Sequence, residues 1–250
     1  MATDKEAARK LEEFRRSVTN KGEDIVFKVF PNKIIELHQI IQTYSNADSP
    51  FNMSHSRKTD TTIYPPPSNP DAEDPHNKKR RRTADGSAEN GDVHHISHPK
   101  HPDLVHSNQH ITSLHETVKK ECDQLADLCD QVKLWVNLTM PKIEDGDNFG
   151  VQVQEEVLAE LMRAQDSAYN VRDAARQDHL QRAKICSKLV KYPHIEDYAA
   201  SLREHDEKQL YFIRQHLIDI RNIYAVLTDL IHKNIYKIRV PKGNNGMGLY

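Results

Sequence analysis

LYFIRQHLIDIRNIYAVLTDLIHKNIYKI, residues 210–238, sets Leu210, Ile213, Leu217, Ile220, Tyr224, Leu227, Ile231, Ile235 and Ile238 at steps of three or four. That spacing returns each side chain to one stripe of a helix, so the segment is predicted to be one long amphipathic helix. Pro241 and the glycines after it end the pattern. The same rule applies from Leu104 onward, through Ile111, Leu114, Val118, Cys122, Leu125, Cys129, Val132 and Val136, until Pro141. A third run follows Gly150, at Val157, Leu161, Ala164, Ala168, Val171 and Ala175, and resumes at Ala183, Cys186 and Val190 before Pro193. Its small central residues suit close approach to a neighbour. An earlier helix holds Leu11, Phe14, Val18, Ile25, Val29, Ile34 and Ile41, and Pro31 is expected to kink or restart it.

At a rise of about 1.5 Å per residue the last three helices run about 55–65 Å each. Short connections at 141–151 and 192–194 make successive helices antiparallel. The expected fold is therefore all-α, an up-down four-helix bundle of long helices. The consecutive apolar residues Leu210 to Ile213 and Tyr224 to Leu227 exceed a single seam. Subunits packed side by side would use them. Ordinary apolar residues on a monomer's surface are the plainer reading.

Composition agrees with helices. Among 250 residues there are 8 glycines, 6% aromatic and 29% charged residues, the balance of amphipathic helices and not of sheets. Lys and Arg (35) nearly cancel Asp and Glu (37), so the whole molecule has no bulk attraction for nucleic acid or membrane. The odd set Cys122, Cys129 and Cys186 forms no CxxC pair, which argues against a disulfide framework and for a reducing compartment. Cys122 and Cys129 read as small buried hydrophobes. The N-terminal residues carry no apolar run of a signal peptide, and no stretch reaches the roughly 20 apolar residues of a membrane span. A soluble intracellular protein is expected, and the sequons at Asn52 and Asn137 read as chance matches.

From Ser45 to Asp103 the helical period vanishes, and the stretch holds eight of the twelve prolines. Such composition buries too little surface to offset its ordering entropy. The domain reading is thus helix one over 1–45, a disordered insertion over 46–103, the remaining helices over 104–240, and a flexible tail over 241–250. Within the insertion, Lys78, Lys79, Arg80, Arg81 and Arg82 form a basic run suited to a nuclear import receptor. A solvated charge run is the bland alternative, and a nucleic-acid site is the weaker one, because no aromatic residues are interleaved. His94, His95, His98 and His101, followed by His106, His110 and His115, could attract zinc or copper, but no cysteine completes a ligand set. Adventitious affinity is the expected behaviour, with no metal or cofactor.

Pro141-Lys-Ile143-Glu144-Asp145-Gly146-Asp147-Asn148-Phe149-Gly150 is longer and more acidic than a helical hairpin needs. Gly146 and Gly150 permit positive φ, and Asp147 and Asn148 can fold the backbone through side-chain hydrogen bonds. Counted from Asp145, the segment partly fits a calcium hand, with Asp147 third, Gly150 sixth and Glu156 twelfth. Phe149 at position five and Val153 at position nine remove two oxygen ligands, which argues against calcium. No nucleophile elbow, phosphate loop or HExxH is present, so no catalytic set is expected. Carboxylates and histidines on the helices fall mostly on polar faces, where solvation explains them. The tail ends in Met247-Gly248-Leu249-Tyr250, an apolar pair with a carboxylate that suits a pocket holding a cation, with a frayed end as the alternative.

Lys133-Leu-Trp-Val-Asn-Leu138, Ile143 to Glu155, and Lys188-Leu-Val-Lys-Tyr-Pro-His-Ile-Glu-Asp-Tyr198 together closely resemble the 11S (REG) proteasome activators. Phe30 to Leu37 resembles their first helix more loosely, and the insertion does not align. The resemblance implies a ring, heptameric in the family, that caps the 20S proteasome core without ATP and is not itself an enzyme. It implies that Met247, Gly248, Leu249 and Tyr250 dock in pockets of the core α-ring. Ile143, Glu144, Asp145, Gly146, Asp147, Asn148, Phe149 and Gly150 would then shift the gate to stimulate peptide hydrolysis. Many relatives carry Asn where Asp147 stands, which adds a negative charge here. The basic run and the Leu-Tyr ending are most like the gamma-type, nuclear, homo-oligomeric branch, which implies the nucleus, with the cytoplasm as a second location. A nuclear helical scaffold that binds nucleic acid or partner proteins is the competing reading.

Overall fold

The computed structural model describes residues 2–65, 103–142 and 148–242. Its helices are α1 (Ala2–Asp24), α2 (Phe30–Gln42), α3 (Gln109–Thr139), α4 (Phe149–Lys191) and α5 (Glu196–Arg239). A π-helical turn, Ile25–Val29, joins α1 to α2 as one column. Four columns result, packed up-down-up-down, as the apolar periods predict. On α5 the buried residues Leu210, Ile213, Leu217, Ile220, Tyr224, Leu227, Ile231 and Ile238 are the expected stripe, with Ile235 partly buried beside them. Each such side chain removed from water contributes about 1.5–3 kcal/mol before entropic costs.

Pro31 explains the π-helical turn. It has no N–H and its ring crowds the carbonyl four residues back. The wider turn lets the Phe30 N–H bond Ile25 O, five residues back. Val26 O is thereby left without its usual partner. His232 of α5 supplies one, with its Nε2 donating at 3.0 Å. The His232 ring also stacks on Phe27 at 4.8 Å. The extra residue shifts the column's inner face to Ile25, Val26, Phe30, Lys33 and Leu37. Leu11 and Phe14, expected on that face, are 52% and 50% exposed, because only the last turns of α1 lie against α3. There Gly22 is buried so closely that an added Cβ would sit 2.6 Å from Trp135 Cβ.

One expected boundary moves, and one expected character changes. Helix α3 starts at Gln109, capped by the Asn108 side chain accepting from Ile111 N at 3.2 Å. Leu104 instead pairs with Tyr64 in an antiparallel bridge, with both N···O distances at 2.8 Å. The irregular segment begins at 46 as expected, but its first part is ordered. Residues 46–65 carry a 3₁₀ turn (Met53–Lys58) and lie against the bundle, with Phe51 buried on Tyr44 at 5.4 Å. Tyr44 in turn donates to Arg214 O at 3.1 Å. This aromatic plug, which no periodicity reveals, helps to hold the stretch. The part of the insertion from 66 to 102 lies outside the described residues.

Several polar residues are core residues, among them carboxylates and histidines expected on solvated faces. Lys33 meets Glu121 at 2.7 Å with both side chains buried. Gln165 donates to Ala126 O at 2.8 Å. Where α4 was expected to resume its stripe at Ala183, Cys186 and Val190, its inward positions are Asp178, Arg182 and Leu189. Asp178 of α4 lies 2.7 Å from His205 Nε2 of α5 and 3.2 Å from His115 Nε2 of α3, so one carboxylate joins three helices. Burial alone would push its carboxyl up, but the two imidazoles outweigh burial and hold it well below the usual carboxylate range. Cys122 and Cys129 are free and buried, and burial pushes both thiols up to about 12.

His232→Leu should leave Val26 O unpaired and cost about 1–3 kcal/mol, read from the urea midpoint. The folded-state pKa of Asp178 is depressed, so its stabilisation is complete above about pH 4 and fades as pH falls toward the folded value. Asp178→Asn should destabilise the bundle by about 3 kcal/mol at neutral pH, and the loss should shrink in acid. Denaturant melts at several pH values check both expectations.

Candidate functional site

The α3–α4 connection and the root of the tail share one end of the bundle. Helix α3 stops at Thr139 because Pro141 forces the residue before it out of helical geometry, and Met140 has ψ of 135°. Helix α4 restarts at Phe149, with Asn148 in the cap position at φ −107° and ψ 9°. The Asn148 carbonyl accepts from Gln152 N at 3.0 Å, and its side chain makes no capping bond to α4. Ile143, Glu144, Asp145, Gly146 and Asp147 lie outside the described residues, as do Met247, Gly248, Leu249 and Tyr250.

Three described contacts join this connection to the end of α5. Phe149 is 54% exposed, and Lys237 Nζ stands 5.7 Å from the centre of its ring. Gly150 is buried against Pro241, and a Cβ on it would lie 2.0 Å from Pro241 O and 2.5 Å from Pro241 Cα. Gly150 is thus required for close approach of two backbones; it lies within α4 and needs no left-handed φ. One turn on, Gln154 is fully buried and donates Nε2 to Ile238 O at 2.9 Å and to Thr139 Oγ1 at 3.3 Å. Beside these contacts a shallow groove is lined by Met140, Pro141, Lys142, Asn148, Glu155 and Lys242, a rim bearing both charges. Gln154 falls three residues before Val157 and seven before Leu161, on the apolar stripe of its helix, and a polar residue at such a position is the sequence signal that could have found it.

The insertion leaves from the opposite end, about 47 Å away along α3. Its neck is closed by the Tyr64–Leu104 bridge and by Asp206, which collects Arg182 Nε at 3.0 Å, Asn108 Nδ2 at 2.8 Å and Thr59 Oγ1 at 3.0 Å. Arg182 also donates to His106 O at 3.0 Å. The basic run Lys78, Lys79, Arg80, Arg81 and Arg82 and the histidines 94–101 lie outside the described residues. The remaining histidines of that cluster are separated: His106 packs on Tyr64 at 4.8 Å, and His110 reaches Pro50 O at 2.8 Å. His115 faces Asp178. Among the described residues no three His, Cys, Asp or Glu side chains are placed to hold a metal. No helix among them is long and apolar enough to cross a membrane.

Residues 5–55 match the family model Proteasome activator PA28, N-terminal, and residues 104–248 match Proteasome activator PA28, C-terminal. The chain belongs to the PA28 proteasome activator family. It is 35% identical to human Proteasome activator complex subunit 3 over 262 residues, covering all of this chain and 98% of that one. It is 29% identical to human Proteasome activator complex subunit 2, covering 98% and 95% of the two chains. Among solved structures, the 11S subunit of the Plasmodium falciparum proteasome, PA28, superposes with a TM-score of 0.71 at 28% identity, covering 96% of this chain and 95% of that one. The activator PA26 in complex with the yeast 20S proteasome has the same fold at 12% identity, with a TM-score of 0.59 and coverage of 95% and 97%. The two matched family segments leave residues 56–103 between them, most of the insertion.

Asp206→Ala should leave the buried guanidinium of Arg182 without its carboxylate and cost about 3–5 kcal/mol. Amide exchange at Tyr64 and Leu104 should rise with it, whereas exchange in α4 near Gln154, at the far end, should not.

Proposed function

We propose that this chain is a non-catalytic, ATP-independent activator of the 20S proteasome core. Its tail Met247–Tyr250 docks on the core α-ring, and Ile143–Gly150 acts on the gate. The observation that carries this reading is the side-by-side placement of the α3–α4 connection and the tail root at one end of a family bundle. A segment that docks and a segment that shifts a neighbour must face the same partner, and here both leave from that end. Docking by several weak tails gives avidity, and a loop held at fixed height spends that energy on a conformational shift.

Several copies of the chain form the working unit. Tyr211, Phe212 and Val226 on α5 and Met162 and Tyr169 on α4 are exposed apolar residues on helices that already have full inner stripes. Side-by-side packing into a ring, a heptamer as in the family, would cover them. The basic run Lys78–Arg82 belongs to an insertion whose described neck leaves the bundle at the end opposite the loop and tail, and in this reading it serves a nuclear import receptor and directs the protein to the nucleus. Near-neutral charge over the rest of the chain supports no role for nucleic acid or membrane.

Adding the purified chain to latent 20S core should raise hydrolysis of short fluorogenic peptides without ATP. Deleting Met247–Tyr250 should abolish the rise, while altering Gly146 or Asn148 should keep binding and remove stimulation. Light scattering should give a particle several times the 28.9 kDa chain mass. Normal stimulation by both variants would sink the reading. A salt-steep DNA affinity that depends on Lys78–Arg82 would favour the scaffold instead.

A further inference from the structure

The loop-and-tail end holds two residues of α4 that both meet the root of the tail. Gly150 and Gln154 lie one turn apart on the same face of α4, and both are buried. Gly150 meets the Pro241 main chain, not a side chain that could swing away. Gln154 takes up Ile238 O, one of the carbonyls that the end of α5 leaves without a helical donor. The same amide group reaches Thr139 Oγ1, so the end of α3 belongs to the junction as well. Three chain segments therefore converge on one turn of α4: the entrance to the loop, its exit, and the root of the tail.

We infer that Gly150 and Gln154 are positioning residues that pin the tail root, Ile238–Lys242, to the base of the 141–150 loop, so that seating the tail sets the height of the loop. This rests on the activator reading above. The pin makes the two segments one body at their bases. Linkage then works in both directions: displacing the loop base must weaken docking through the tail, and freeing the tail root must loosen the loop base. A loop and a tail that acted independently would show neither effect.

The contact types dictate the variants. Gly150→Ala places a methyl group where the Pro241 backbone runs, and no rotamer change relieves it. Gln154→Met keeps the side-chain length and removes both hydrogen bonds. Pro241→Gly keeps the close approach but frees the backbone of the root. Each variant is assembled as the full chain, and its mass and melting curve are compared with the unaltered chain before use.

The first measurement needs no proteasome: amide exchange across Gln152–Leu158 in the chain alone. Pro241→Gly and Gln154→Met should each speed exchange there by about fivefold or more, as coupling of ordinary strength implies. Unchanged rates in both would overturn the pin whatever the core does. The second is a titration of latent 20S core with fluorogenic peptide. Gly150→Ala and Gln154→Met should raise the concentration for half-maximal stimulation by about fivefold or more, although every tail residue is intact. The effects of Gly150→Ala and Pro241→Gly should not multiply in the double variant, because one contact carries both. A lowered maximum with an unchanged midpoint, and effects that multiply, would mean that loop and tail act separately. If the unaltered chain fails to stimulate the core, the activator reading falls, while the exchange measurement still decides the pin.

Discussion

Long antiparallel helices are held by apolar stripes, and such a stripe repeats along its length. Hydrophobic contact has no direction, so a slide by one turn trades each buried side chain for a similar one. The buried polar pairs remove that freedom. Lys33 has one Glu121, Gln165 has one Ala126 carbonyl, and Asp178 has one histidine on each neighbouring helix. Displacing any of them would leave a charge or donor unpaired in the core, which costs several kcal/mol per group. These fixed points are spread along the bundle, so the register of α3, α4 and α5 is set throughout, and both ends inherit it.

The apolar content of the fold could be read directly. The stripe of α5 and most of α3 were legible because period and burial coincide there, and Pro141 and Pro241 end their helices as proline chemistry requires. Legibility failed where something other than periodicity decides burial. Leu104 fits the α3 stripe by count, yet its backbone is claimed by Tyr64. Phe51 is one aromatic residue in a polar stretch, and it anchors segment 46–65 without leaving a pattern. On the outer half of α4, Asp178 and Arg182 occupy inward positions because their partners stand on other helices. A partner far away in sequence cannot be seen from one helix alone.

The loop-and-tail end shows the same division. The acidic, glycine-bearing connection drew attention as a sequence, and its exit does stand beside the tail root. What joins them was hidden. Gly150 looked like a hinge for positive φ and is instead a gap that another backbone fills. Gln154 is a polar residue on an apolar stripe, and the carbonyl that explains its burial stands on α5. Both read differently only once α5 is known to end over the first turns of α4.

The π-helical turn before Pro31 has a geometric effect on everything upstream of it. An added residue rotates the preceding helix by roughly 100° about its axis relative to an uninterrupted column. The azimuth of α1, and with it the direction in which Leu11 and Phe14 point, is therefore decided by a proline imino nitrogen that carries no proton and by the His232 ring that accommodates the result. A chain with an ordinary residue at 31 could close the turn as α-helix and swing the whole amino-terminal rod to a different compass bearing. The orientation of that rod is a property of two residues that are not part of it.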